Sequence, residues 1–178
     1  MSGKDYTGEI QEDRGLLERI MGYIPGYRGY KEKEMRRESD RLVRMEVVTS
    51  LKTAKTDFRR LLADPVAVQK LSSEDTYRYE AFTYRLDRIT QRVDRAVVGY
   101  AGMFDAIRVR EDRLNAVIQY DISMVEKANA IKADVEKLGS MQPGADDWGT
   151  AMDALVSKVG EFDTFIDERA GILRGLQG

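Results

Sequence analysis

The sequence predicts an all-α protein: an elongated, antiparallel bundle of three to four long helices with coiled-coil-like packing, preceded by a short N-terminal amphipathic helix. Two observations support this prediction. Only three prolines occur in the 178 residues, so few positions break a helix. Between the prolines, apolar residues recur at steps of three and four, which is the spacing of one helix face. The 42% of hydrophobic residues are enough for the core of a single domain.

Polar residues dominate the start of the chain, so we predict a disordered arm over residues 1 to 12 and a single domain over residues 13 to 178. A short helix over about 14 to 24 gathers five apolar residues on one face. Pro25 ends this helix, because proline disfavours helical geometry in the residue before it. Pro25 and Gly26 then predict a type II turn, in which glycine accepts the positive φ.

Four long helices follow, over about 27 to 63, 73 to 105, 110 to 138 and 146 to 175. In the third, Asp121 takes the slot between Val117 and Met124, and in the fourth, Leu173 follows the repeat after Arg169. Each apolar seam is narrow, which favours coiled-coil-like packing. The second helix has the clearest pattern, a heptad repeat formed by Tyr79, Phe82, Leu86, Ile89, Val93, Ala96 and Tyr100.

Asp121 thus falls among apolar residues. Burying an unpaired carboxylate is costly, so we predict that Asp121 is a buried polar residue with a structural role. Its partner would be a tyrosine or an arginine of another helix, and the pair would fix the register of the bundle. A metal or catalytic role is disfavoured, because no second carboxylate or histidine stands at a matching spacing.

Composition argues against catalysis. The chain has no histidine and no cysteine, which excludes the usual zinc sites, histidine-based triads and thiol nucleophiles. The motifs GxxxxGK[ST], GxGxxG and GxSxG are also missing. We therefore predict no enzyme activity, catalytic residue, metal or cofactor. No apolar run approaches the ~18 residues of a membrane span, the N-terminus is unlike a signal peptide, and the lack of cysteine suits a reducing cytoplasm.

Charge is unevenly distributed along the chain. Residues 14 to 60 contain 13 Lys or Arg against 7 Asp or Glu, a net charge of +6, and residues 111 to 178 contain 7 against 13, a net charge of −6. Either the first long helix lies beside the third or fourth and the charges choose the partner, or the basic face binds an acidic partner, phospholipid or nucleic acid. The second long helix adds five arginines that form either a solvated edge or a nucleic-acid surface: Arg78, Arg85, Arg88, Arg92 and Arg95.

The short N-terminal helix is too short to be stable alone. Either it folds back through the Pro25–Gly26 turn to cap the bundle, or it presents its apolar face outward. An outward face, flanked by cations, would suit an anionic membrane surface or a groove on a partner protein. The predicted partner-binding or membrane-binding residues are Leu16, Leu17, Ile20, Met21, Ile24, Tyr27, Arg28 and Lys31.

The stretch LLERIMGYIPGYRGYKEKEMRRESDRLVR, followed by GMFDAIRVRED, resembles a family of uncharacterised helical proteins of bacteria and archaea that occur with phage-shock-type and band-7-type envelope-stress components. The resemblance covers 40 of the 178 residues and implies a stress-related or membrane-associated scaffold, without assigning a site residue. We therefore predict a non-enzymatic helical adaptor or scaffold that binds a protein or an anionic membrane. It would be cytoplasmic or peripheral to a membrane, and it could form a homo-oligomer. The alternative function is a nucleic-acid-associated protein that uses the arginines of the first two long helices.

Overall fold

The computed structural model describes the backbone of residues 6–29, 33–96 and 111–175, and the side chains of residues 14–29, 38–96 and 115–172. Every regular element in these ranges is an α-helix, so the predicted all-α class is confirmed. The helices are α1 (Tyr6–Tyr23), α2 (Lys33–Leu61), α3 (Pro65–Gln69), α4 (Ser73–Arg95), α5 (Glu111–Leu138) and α6 (Asp146–Gly175).

The four long helices pack side by side in the order α2, α4, α6, α5, with α5 returning to α2. Consecutive helices run antiparallel, as predicted. The lateral pairs α2·α5 and α4·α6 run parallel instead, so the bundle is not antiparallel at every contact. In α4·α6, for example, Arg78 pairs with Asp153, and Arg92, two heptads later, pairs with Asp167. Helices α4 and α5, although consecutive, therefore occupy opposite corners.

The apolar seams form one continuous core. In α4, the buried members of the predicted heptad repeat are Phe82, Leu86, Ile89 and Val93, while Tyr100 lies outside the described residues. The buried face of α5 is wider than the narrow seam that the sequence predicts, because a second row of residues on this helix, on the side that contacts α1, is also buried. That row consists of Ile118, Ile122 and Val125.

Three boundaries differ from the prediction. Helix α1 begins at Tyr6, so residues 6 to 12 are helical and not a disordered arm; Glu9, Gln11 and Glu12 in this stretch are good helix formers. Helix α2 is described from Lys33, and it does not begin at 27, because Gly29 has a φ of 80°, outside helical geometry. Helix α4 is described to Arg95, and the rest of its predicted span, to 105, lies beyond the described residues apart from Ala96.

Two turns explain how the helices are connected. The predicted type II turn is present: Gly26 has the positive φ, and the amide of Tyr27 donates to the carbonyl of Ile24 at 3.2 Å. The short helix α3 was not predicted from the pattern. Its N-cap residue is Asp64, whose carboxylate accepts a hydrogen bond from the amide of Val66 at 2.9 Å.

Candidate functional site

The N-terminal segment folds back on the bundle. Helix α1 packs against α5, and Ile20, Ile24 and Tyr27 are buried with exposed fractions of 0%, 3% and 1%. The outward presentation that we considered for these residues is therefore not the arrangement of the structure. Among the other predicted partner-binding residues, Leu16 and Leu17 are half-buried, Met21 and Arg28 are exposed, and Lys31 lies outside the described residues.

Polar contacts hold this segment in place. On the surface, Arg19 forms an ion pair with Glu126 of α5, and the hydroxyl of Tyr23 donates to the same carboxylate at 3.1 Å. At the turn, the hydroxyl of Ser39 donates to the carbonyl of Gly29 at 2.9 Å, which ties the turn to α2. The surface contacts are weak individually, so the buried apolar face supplies most of the attachment.

Beneath the turn lies a buried charge network. Asp121 is fully buried. It accepts one hydrogen bond from the hydroxyl of Tyr27, at 3.0 Å, and two hydrogen bonds from Arg169, at 2.9 and 2.7 Å. Arg169 also donates to Asp40 at 3.1 Å, and Arg44 donates to Asp40 at 2.8 Å. Among the described residues, the network thus contains two carboxylates and two guanidinium groups, and it connects the turn, α2, α5 and α6. Because all five side chains are closed off from solvent and bonded to one another, their arrangement suits register and orientation rather than acid–base chemistry.

Sequence reasoning identified only part of this network. Asp121 interrupts the seam of α5 and Arg169 interrupts the seam of α6, so each position carried a signal. Asp40 and Arg44 carried none, because an acidic and a basic residue four positions apart are common on exposed helix faces.

The arginines of α4 mostly pair with carboxylates of α6. Arg78 bonds Asp153 at 2.8 Å, Arg92 pairs with Asp163 and Asp167, and Arg88 lies 3.3 Å from Asp163. Hydrogen bonding to Asp153 raises the pKa of Arg78 above its usual range. Burial lowers the pKa of Arg92, but its bonds to Asp163 and Asp167 outweigh this and raise it. These pairs line the contact between the parallel helices α4 and α6, so the two facing surfaces carry complementary charge.

The outward face of α4 carries an exposed stripe. At ~100° per residue, six exposed residues fall on one side of the helix, and we call them the α4 outer stripe: Tyr77, Glu80, Tyr84, Arg88, Gln91 and Arg95. Tyr77 and Tyr84 stand one heptad apart and are 71% and 69% exposed. By contrast, Tyr79 stacks on Phe58 inside the bundle, at a ring distance of 5.1 Å.

Comparisons with protein-family models, with curated proteins and with solved structures find no match to this chain. Among the described residues, no cluster of acidic side chains is arranged to hold a metal ion. None of the helices in the described ranges combines the length and the apolar character needed to cross a membrane.

Proposed function

We propose that this chain is a non-enzymatic helical adaptor that binds an acidic segment of a partner protein along the α4 outer stripe. The observation that carries the proposal is the pair of highly exposed tyrosines, Tyr77 and Tyr84, beside outward arginines on one helix face. Tyrosine and arginine are enriched among the residues that dominate binding energy at protein interfaces. A tyrosine also presents a large contact area while losing little side-chain entropy.

The charge of the stripe favours an acidic partner. Arg88 and Arg95 face outward, whereas Glu80 is its single acidic member, so the stripe is basic on a chain whose overall net charge is −2. The guanidinium-bearing side chain of Arg88 is 58% exposed despite its contact with Asp163. Complementary charge on the partner would speed association and fix its orientation.

The other partners that the sequence leaves open fit this geometry less well. A nucleic acid would need free cations, but Arg78 and Arg92 are held by carboxylates of α6. A membrane bound through residues 14 to 30 would require α1 to leave α5. That release would expose Ile20 and Ile24, at about 1.5–3 kcal/mol for each buried side chain.

Affinity purification from host extract tests the proposal, with three baits: the wild type, Tyr77→Ala/Tyr84→Ala, and the control Val66→Ala/Val68→Ala. The valines of the control are 58% and 49% exposed but lie on α3, away from the stripe. We expect a protein that the wild type and the control retain and that the tyrosine variant loses by at least about tenfold, as for interface hot spots. All three baits should melt alike, because the changed side chains are exposed.

Two results would count against the proposal. Equal retention of the same proteins by all three baits would mean that the stripe is not the binding surface. Retained material that nuclease removes would support the nucleic-acid alternative instead.

A further inference from the structure

A notch of about 200 Å³ opens between α4 and α6, beside the α4 outer stripe. Its floor is apolar, because Ile89 and Val159 are buried there, and its rim carries two arginines. Gly160 keeps it open: a Cβ atom at this position would lie 3.6 Å from Nη1 of Arg85. The lining residues are Arg85, Arg88, Ile89, Val159, Gly160 and Asp163.

Three arginines of α4 face three positions of α6; we call each facing pair of positions a rung, and the notch lies at the middle rung. Arg78, Arg85 and Arg92 are spaced by heptads on α4, and the facing positions on α6, also spaced by heptads, are Asp153, Gly160 and Asp167. The two outer rungs are ion pairs. In the middle rung, Arg85 contacts the carbonyl of Val156 at 3.4 Å, and no carboxylate of the described residues forms a salt bridge with it.

We propose that a carboxylate of the partner completes this rung: an Asp or Glu side chain enters the notch and accepts hydrogen bonds from Arg85 and Arg88. This inference rests on the proposed function, since it names the group that the partner segment places beside the stripe. Arg88 belongs to both surfaces, and Arg85 directly follows Tyr84, so a segment bound along the tyrosines reaches the notch. An arginine binds a carboxylate through directional, charge-assisted bonds.

The charge of Asp163 does not prevent this binding. Its carboxylate lies at the edge of the notch, where it is already engaged by Arg92 and Arg88. The incoming anion would therefore meet one arginine without a carboxylate partner among the described residues and one arginine that is largely exposed.

The first test needs no partner. Gly160→Asp places a carboxylate opposite Arg85 within the chain, and Gly160→Asn is its matched control, because Asn and Asp have similar helix propensities. We expect the Asp variant to melt about 2 °C or more above the Asn variant, and the difference to disappear in 1 M salt. Equal melting temperatures at low salt would mean that the notch does not accept a carboxylate, and would overturn the inference.

The second test uses a displayed library of helical peptides, selected on the wild-type chain and measured by fluorescence anisotropy. The selected peptides should contain acidic residues, and Gly160→Asp or Arg85→Gln should weaken their binding at least about tenfold. Gly160→Asn and Arg59→Gln, which removes an exposed arginine of α2, should leave binding unchanged.

The outcomes separate this inference from the proposed function. Peptides that require Tyr77 and Tyr84, yet lack acidic residues and bind Gly160→Asp normally, would overturn the notch and leave the stripe standing. If no selected peptide depends on the two tyrosines, the proposed function itself fails, and the inference fails with it.

Discussion

Removing one charge from the buried network should destabilise this protein strongly. In Asp121→Asn the side chain keeps its shape, but Arg169 loses the carboxylate to which it donates two hydrogen bonds. Asp40 remains, yet it also pairs with Arg44, so among the described residues one carboxylate is left to face two guanidinium groups. Breaking a buried pair from one side costs about 3–5 kcal/mol, which is a large part of the ~5–15 kcal/mol that stabilises a typical domain.

Removing the whole group of partners should cost far less. The triple variant Tyr27→Phe/Asp121→Leu/Arg169→Met removes the donors together with their acceptor and leaves Asp40 paired with Arg44. Apolar replacement of a buried pair is often neutral or stabilising, so we expect the triple variant to be more stable than Asp121→Asn. Urea unfolding followed by circular dichroism at 222 nm measures both free energies of unfolding.

Two results would refute this account of the buried network. A cost below about 1 kcal/mol for Asp121→Asn would mean that the charge is solvated and not buried as described. A triple variant as unstable as the single one would mean that packing around these residues, rather than charge balance, determines the loss. A well-behaved single variant should also melt roughly 6–20 °C below the wild type, at ~2–4 °C per kcal/mol for a chain of this size.

Three further predictions concern other parts of the fold. Burial raises the pKa of Asp75, but hydrogen bonds from Ser72 and then Arg78 outweigh this effect and hold the pKa below its usual value. Asp75→Ala should therefore lower the free energy of unfolding by about 1 kcal/mol at pH 7. The difference in stability between this variant and the wild type should shrink as the pH falls below about 4, where the carboxyl is protonated in the unfolded chain. Gly171→Ala should stabilise the protein by about 0.5–1 kcal/mol, because this glycine lies in a helix and a Cβ atom there would meet nothing within 4 Å. Gly144→Ala should destabilise the protein, because the φ of Gly144 is 83° and the Cβ atom would overlap the carbonyl of Lys70. The midpoints of urea unfolding for the two variants should lie on opposite sides of the wild-type midpoint. Ile20→Glu should lower the free energy of unfolding by about 2 kcal/mol or more, because Ile20 is fully buried. A variant that keeps its stability and also binds anionic vesicles would instead mean that α1 presents its apolar face outward.

Local patterns were sufficient for most of the extent of the four long helices, but not for α3. The predicted spans 110 to 138 and 146 to 175 nearly coincide with α5 and α6, and the heptad residues of α4 that are described lie on its core side. Periodicity alone identifies the buried face of a helix, since it depends only on residues within a few turns. The same pattern singled out Asp121 as a carboxylate in need of a partner, and it offered a tyrosine or an arginine.

The neighbours of each buried face were decided only by the tertiary structure. A helical repeat does not specify which other helix covers it, so the parallel pairs α2·α5 and α4·α6, and the pairing of Arg169 with Asp121, could not be read from any single segment. The same holds for the return of α1 onto α5, which the sequence left open, and for the difference between exposed Tyr77 and half-buried Tyr79. Burial of a side chain depends on contacts between residues far apart in the chain, and one sequence records the residues but not those contacts.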